Sequence, residues 1–141
     1  MIYVLDSSVA FKWLVPEANT AIALRLLDDS DNGIHDLIAP DIFPVEVVHA
    51  LTRAERQGRM TPAEGVVLVK DLYTHLPPLH PYLPLLPRAY AISSHMRIGV
   101  YDCLYVALAE RENCEFVTAD DKLIKKLQGS FPFIVALASM P

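Results

Sequence analysis

The sequence predicts an α/β fold, a central and mainly parallel sheet of four to five strands flanked by helices. Three observations carry that expectation. Short apolar runs of β-type residues alternate with stretches of helical periodicity along the whole chain. Two of those runs end at acidic residues, IYVL at 2–5 directly before Asp6 and FVT at 116–118 with one residue before Asp120. Both acids then stand at the carboxyl ends of strands, the ligand-binding rim of a parallel sheet. Finally, neither a repeat nor a linker interrupts the 141 residues, a length that buries roughly 70% of the unfolded surface around one core. A single domain spanning 1–141 follows.

Each element has its own warrant. Ile2–Leu5 is a first strand ending on Asp6, and Ser7 or Ser8 can cap a short helix that runs to about Trp13 before Pro16 stops it. A helix from about Asn19 to Asp29 places Ile22, Ala23, Leu26 and Leu27 on one side, and Ser30–Gly33 is a turn. Leu37–Ala39 is a second strand closed by Pro40. Asp41 then reads as an N-cap, with Pro44 in the first turn, where its missing N–H costs little. Phe43, Val47, Ala50, Leu51 and Ala54 form the apolar stripe of that helix, which ends near Gly58. Thr61, Pro62 and Glu64 make a full capping signature for the next helix, to about Leu76. The segment Pro77–Pro87, with five prolines, is a connection with room for a short extended piece. Arg88–His95 is helical, Gly99 breaks the chain, and a helix covers Tyr101 to Arg111. Phe116–Thr118 is a buried strand, Asp121–Leu127 a helix and Phe133–Leu137 the last strand.

Composition narrows the class. With 52% hydrophobic and 21% charged residues the chain is globular rather than disordered. No apolar run approaches the roughly 20 residues a membrane span needs. The start, MIYVLDSSVAFKW, lacks a basic region before its apolar run and reads as a strand, not a signal peptide. Cys103 and Cys114 lack C-x-x-C spacing, so no disulfide framework is expected and a reducing cytoplasm is the default. The five histidines, His35, His49, His75, His80 and His95, form no metal-binding spacing and read as surface or packing residues. A net charge of −5 argues against gripping nucleic acid as the main task. It leaves room for an enzyme that touches nucleic acid through a local patch, such as Arg53, Arg56 and Arg59 or Lys122, Lys125 and Lys126.

Four acids stand out as carriers of chemistry. Asp6 and Asp120 follow strands and emerge at one rim, although capping of the following helices explains either one alone equally well. Glu46 lies on or beside an apolar stripe, where a carboxylate is costly unless it is paired or binds a cation; a solvated Glu at the stripe's edge is the alternative. Asp102 shares a helix face with Tyr105, Val106 and Ala109, and its place in the first turn also gains from the helix dipole. Taken together, four carboxylates at one rim cannot all stay ionised without a cation, and hard oxygen donors suit Mg²⁺ or Mn²⁺. Such an ion activates water and stabilises a leaving oxygen in phosphodiester hydrolysis. No Ser-His-Asp arrangement and no glycine-rich phosphate loop competes.

At these residues the chain resembles a known family. LDSSVAFKW (5–13), PVEVVHAL (44–51), GVYDCLYVALAE (99–110) and FVTADDKL (116–123) look like the signature blocks of PIN-domain proteins, in particular the VapC-like toxins of toxin–antitoxin pairs. The resemblance runs over essentially the whole chain. It implies a PIN-like fold and a Mg²⁺- or Mn²⁺-dependent endoribonuclease acting on RNA, homodimeric, cytoplasmic and held in check by a small cognate antitoxin protein. It matches Asp6, Glu46, Asp102 and Asp120 to the family's acidic quartet, with Asp6, Asp102 and Asp120 as the metal set. Thr118 matches the hydroxyl residue two before the last acid, and Ser7 or Ser8 is expected to orient Asp6. Asp120 is expected as ligand and Asp121 as cap of the next helix. His49 departs from the family's usual Asn, and packing or solvation is its expected role.

Lys12, Arg53, Arg88 and Arg97 are candidate phosphate contacts, and lone basic residues are more often solvated surface. Trp13, Tyr101 and Tyr105 could stack on bases, although helical spacing favours core or dimer contacts. Rival functions are a nuclease of RNA processing outside any toxin pair, a Mg²⁺-binding receiver-like signalling domain, and a non-catalytic binding partner.

Overall fold

A computed structural model describes residues 1–141. It contains a five-stranded parallel sheet in the order β3-β2-β1-β4-β5 and seven α-helices. The elements are β1 (Ile2–Leu5), α1 (Ser7–Leu14), α2 (Thr20–Asp31), β2 (Asp36–Pro40), α3 (Phe43–Arg56), α4 (Pro62–Thr74), β3 (Leu79–His80), α5 (Leu86–Met96), α6 (Val100–Glu112), β4 (Glu115–Thr118), α7 (Asp121–Leu127) and β5 (Ile134–Ala136). Short 3-10 turns cover Leu83–Leu85 and Leu137–Ser139. The α/β class and the strand count agree with expectation, and the proline-rich connection does hold an extended piece, β3, which pairs with β2.

The topology fixes where chemistry can sit. From the central β1 the chain steps outward through β2 to β3, then returns past β1 to β4 and β5. This reversal leaves a crevice between β1 and β4 at their carboxyl ends, the place where parallel sheets bind ligands. Val4, Leu5, Phe116 and Val117 are fully buried, so both faces of the central strands are covered. The two strands run in register, Leu5 beside Val117, and the amide of Asp6 continues the ladder to the Val117 carbonyl at 3.0 Å. Asp6 therefore leaves the sheet alongside Thr118.

Helix α6 explains the apolar block around Asp102. Every residue from Cys103 to Ala109 is buried, so this helix is apolar all round and lies between α5 and the strands. At α4 the capping box forms as expected: Glu64 N–H donates to Thr61 Oγ1 at 3.2 Å and Thr61 N–H to Glu64 Oε1 at 3.0 Å. Two expected caps are corrected. Asp41 does not cap α3, because the helix begins at Phe43 and Ile42 holds the cap position. The Asp41 carboxylate instead accepts from Tyr82 N–H at 3.0 Å, tying the end of β2 to the segment after β3. Ser7 and Ser8 lie inside α1, whose cap position belongs to Asp6.

Of the histidines, His35 is a packing residue, its ring against Tyr3 and its Nε2 at 2.9 Å from the Leu26 carbonyl. Cys103 and Cys114 are free thiols. No helix is long and apolar enough to cross a membrane.

Candidate functional site

At the crevice between β1 and β4 an open cleft of about 450 Å³ is lined by Asp6, Glu46, Asp102 and Asp120 together. The four acids arrive from four elements, as the sequence suggested.

Asp6 occupies the cap position of α1 but caps nothing with its side chain. Its buried Oδ2 accepts instead from Ser8 Oγ at 2.6 Å and from Thr118 Oγ1 at 2.7 Å. Each hydroxyl is itself fixed from behind. Ala119 N–H donates to Ser8 Oγ at 3.0 Å, and Asp120 N–H to Thr118 Oγ1 at 3.1 Å. The end of β4 thus sets both hydroxyl rotors, and these set Asp6. Burial raises the Asp6 pKa; the Ser8 and Thr118 hydroxyls oppose the rise, and the charge of Asp120 adds to it. Between the two serines, Ser8 is the one whose side chain holds Asp6. Ser7 lines the cleft and acts on Asp6 only through its backbone.

Glu46 is turned inward. Its Oε1 accepts from the hydroxyl of Tyr105 at 2.6 Å, a bond that joins α3 to the fully buried centre of α6. Burial raises its pKa, Tyr105 pulls it back and Asp6 raises it further. A solvated Glu at the stripe's edge is therefore not what the fold contains. Asp102, in the first turn of α6, has its pKa pushed up to about 7, first by burial and then by the charges of Asp6, Glu46 and Asp120. Nothing among these causes stabilises the Asp102 anion.

Asp120 is a helix cap that also lines the cleft. Its Oδ1 caps α7, accepting from Lys122 N–H at 3.0 Å and Leu123 N–H at 3.2 Å, while its charge still reaches Asp6 and Asp102. Asp121, expected as the cap, is instead the exposed first residue of α7, because a cap must precede the first helical position.

The cleft is also lined by Lys12, Arg53 and Arg59. Lys12 Nζ is committed to Glu17 Oε1 at 3.0 Å and the Ala18 carbonyl at 2.8 Å, and Arg59 to Glu17 Oε2 at 3.1 Å. Arg53 has no such partner. Arg88 pairs with Glu110 at 2.7 Å outside the cleft, and Arg97 terminates α5 in a left-handed conformation. Exposed His49 lines the cleft. Trp13 is tied down by the bond from its Nε1 to the Ala23 carbonyl at 2.9 Å, Tyr105 stacks on Phe116, and Tyr101 is exposed. Sequence reasoning missed Glu17 and the Tyr105–Glu46 bond. The latter joins residues 59 positions apart, and no local pattern signals it.

The donor set is oxygen only and fits a hard divalent cation such as Mg²⁺ or Mn²⁺. No three acidic, histidine or cysteine side chains stand close enough together to ligate one ion directly. A divalent ion that retains several waters would take one or two of these carboxylates directly and reach the others through its bound water.

The raised carboxyls give a pH test with a definite sign. Asp6, Glu46 and Asp102 hold protons more tightly folded than unfolded, so stability present at low pH is lost as pH rises toward the Asp102 value of about 7. In metal-free protein the melting temperature should fall as pH rises from the ordinary carboxylate range to above 7. The Asp102→Asn variant should show a shallower fall and melt higher at the alkaline end. Calorimetric scans in chelator check this, and a wild-type melting temperature that climbs across that window would contradict it.

Known proteins share this architecture. Residues 3–128 match the PIN domain family. Ribonuclease VapC3 of Pyrobaculum aerophilum is 30% identical over 134 residues, covering 94% of this chain and 96% of the relative. A crystal structure of another protein from Pyrobaculum aerophilum superposes with a TM-score of 0.70 at 19% identity, covering 99% of this chain and 94% of that one. That of VapBC2 from Rickettsia felis, bound to a DNA fragment from its promoter, gives 0.65 at 15% identity, with 96% and 97% covered. With its five-stranded parallel sheet, its acid-lined switch point and a family match over nearly its whole length, this chain belongs to the PIN-domain family, alongside the VapC ribonucleases.

Proposed function

We propose that this protein is a divalent-metal-dependent endoribonuclease, the toxin of a toxin–antitoxin pair. It hydrolyses RNA phosphodiester bonds at the centre formed by Asp6, Glu46, Asp102 and Asp120. The observation that carries the reading is the convergence of these four acids on one cleft, with Asp102 driven to about 7 by burial and then by the charges of its neighbours, in a chain whose relatives are named ribonucleases.

Asp6, Asp102 and Asp120 are the residues to hold Mg²⁺ or Mn²⁺. Bound there, the ion supplies charge stabilisation at the phosphate and a lowered pKa for water. The protein's own part is positioning. Ser8 and Thr118 fix the carboxylate of Asp6, Tyr105 fixes that of Glu46, and the α7 cap fixes Asp120. The acids bring no cation of their own, which leaves their charge to attract one.

A receiver-like phosphoacceptor is not favoured. Strands β4 and β5 end on Thr118 and Ala136, without the lysine such a site needs at a later strand end, and Lys12 is committed to Glu17. The protein is taken to work in the cytoplasm as a homodimer, with a small antitoxin whose basic segment enters the acidic cleft. Exposed apolar side chains on α4 (Val66, Val67, Tyr73) and on α5 and α6 (Tyr90, Tyr101) offer surface for both contacts.

Purified protein should cleave RNA when Mg²⁺ or Mn²⁺ is added and not in chelator. Asp6→Asn and Asp102→Asn should each lose more than about 100-fold in rate, since even groups that only orient metal ligands are worth 10–100-fold. Full cleavage by either variant would overturn the assignment. Ser8→Ala should weaken Mn²⁺ binding on the order of tenfold in calorimetric titration, and Ser7→Ala far less; equal losses would sink the assigned positioning role of Ser8. Induction should arrest growth, and co-expression with a small protein encoded beside it should relieve the arrest and co-purify. Active protein that neither arrests growth nor finds such a partner would place it in RNA processing.

A further inference from the structure

Three cationic side chains line the acidic cleft, and two of them are neutralised by one residue. Glu17 takes Lys12 on Oε1 at 3.0 Å and Arg59 on Oε2 at 3.1 Å. Arg53 is the third; it is exposed and its guanidinium makes no ion pair or hydrogen bond. It stands on α3 seven residues after Glu46, about two helical turns and ~10 Å along the axis. Both side chains belong to the cleft, with His49 and Ala50 between them on the same face.

We infer that Arg53 binds a backbone phosphate of the RNA at a linkage flanking the one that is cleaved, so that α3 serves as a track for the strand. The inference rests on the ribonuclease reading above and extends it to the substrate's neighbouring nucleotides. A polyanion approaching a cleft of four carboxylates meets repulsion wherever no cation stands. Arg53 is the cation still available to it, and a planar guanidinium takes phosphate oxygens in pairs. Two turns of helix separate it from Glu46, which puts it at a neighbouring phosphate rather than at the reacting one. Because every nucleotide carries the same phosphate, the contact adds grip and alignment and reads no base. Arg56, on the same helix but outside the cleft, provides the internal control.

The test is steady-state cleavage of a short single-site RNA by wild type, Arg53→Ala, Arg53→Lys and Arg56→Ala. Arg53→Ala should raise KM on the order of tenfold with kcat little changed, and should lower the salt dependence of kcat/KM by about one unit of slope. Arg53→Lys should recover part of the loss and Arg56→Ala should match wild type. A neutral methylphosphonate is then walked along the RNA. In wild type one flanking linkage should be sensitive, and in Arg53→Ala that same linkage should become insensitive. An active wild type with an unchanged KM for Arg53→Ala, or a sensitive linkage that persists in that variant, would overturn the inference. Absence of cleavage by wild type would instead overturn the ribonuclease reading, so the two failures are distinct.

Discussion

The site depends on the register of β1 against β4. Pairing Leu5 with Val117 brings Asp6 out of the sheet next to Thr118, and the ladder bond from Asp6 N–H to Val117 fixes that alignment at the last step. Everything nearby follows from it. Thr118 and Ser8 can both reach Asp6 Oδ2 only because β4 ends where α1 begins. The amides of Ala119 and Asp120, freed from the sheet as β4 ends, find those two hydroxyls as acceptors. Shifting one strand by a single residue would reverse the facing of its side chains and dissolve the arrangement. A parallel pair with both faces buried resists such a slip, since it would expose Val4 or Phe116 to the wrong surroundings.

This hierarchy explains which features could be read from sequence. Strand ends at Asp6 and Thr118, the capping box of α4 and the apolar context of Glu46 and Asp102 are local patterns, and they were legible as such. The fold class followed from the alternation of elements. The choice between Ser7 and Ser8 was not legible, because it turns on how the first turn of α1 faces β4. Likewise Asp120 and Asp121 are chemically equal in sequence, and only the starting residue of α7 separates cap from helix. The bond between Glu46 and Tyr105 and the double pairing of Glu17 connect residues distant in the chain, which periodicity does not reach. The catalytic role proposed for the quartet rests on resemblance rather than on spacing.

The electrostatics of the cleft then make sense as a division of charge. Lys12 follows Asp6 on the very next element, yet its ammonium is drawn to Glu17 and to the Ala18 carbonyl. Arg59 is drawn to the same carboxylate from the turn that follows α3. Had either cation reached Asp102, the pair would have lowered its pKa and filled the space where an external cation can sit. Glu17 pairs with both, and its own pKa is lowered while those of Asp6, Glu46 and Asp102 are raised. The acids that lack internal counter-charges are therefore the ones that face the cleft. Their mutual repulsion costs the protein stability, and on the proposed metal-dependent reading a bound divalent ion would offset that cost. On that reading, binding of the ion and stability of the fold are one linked quantity.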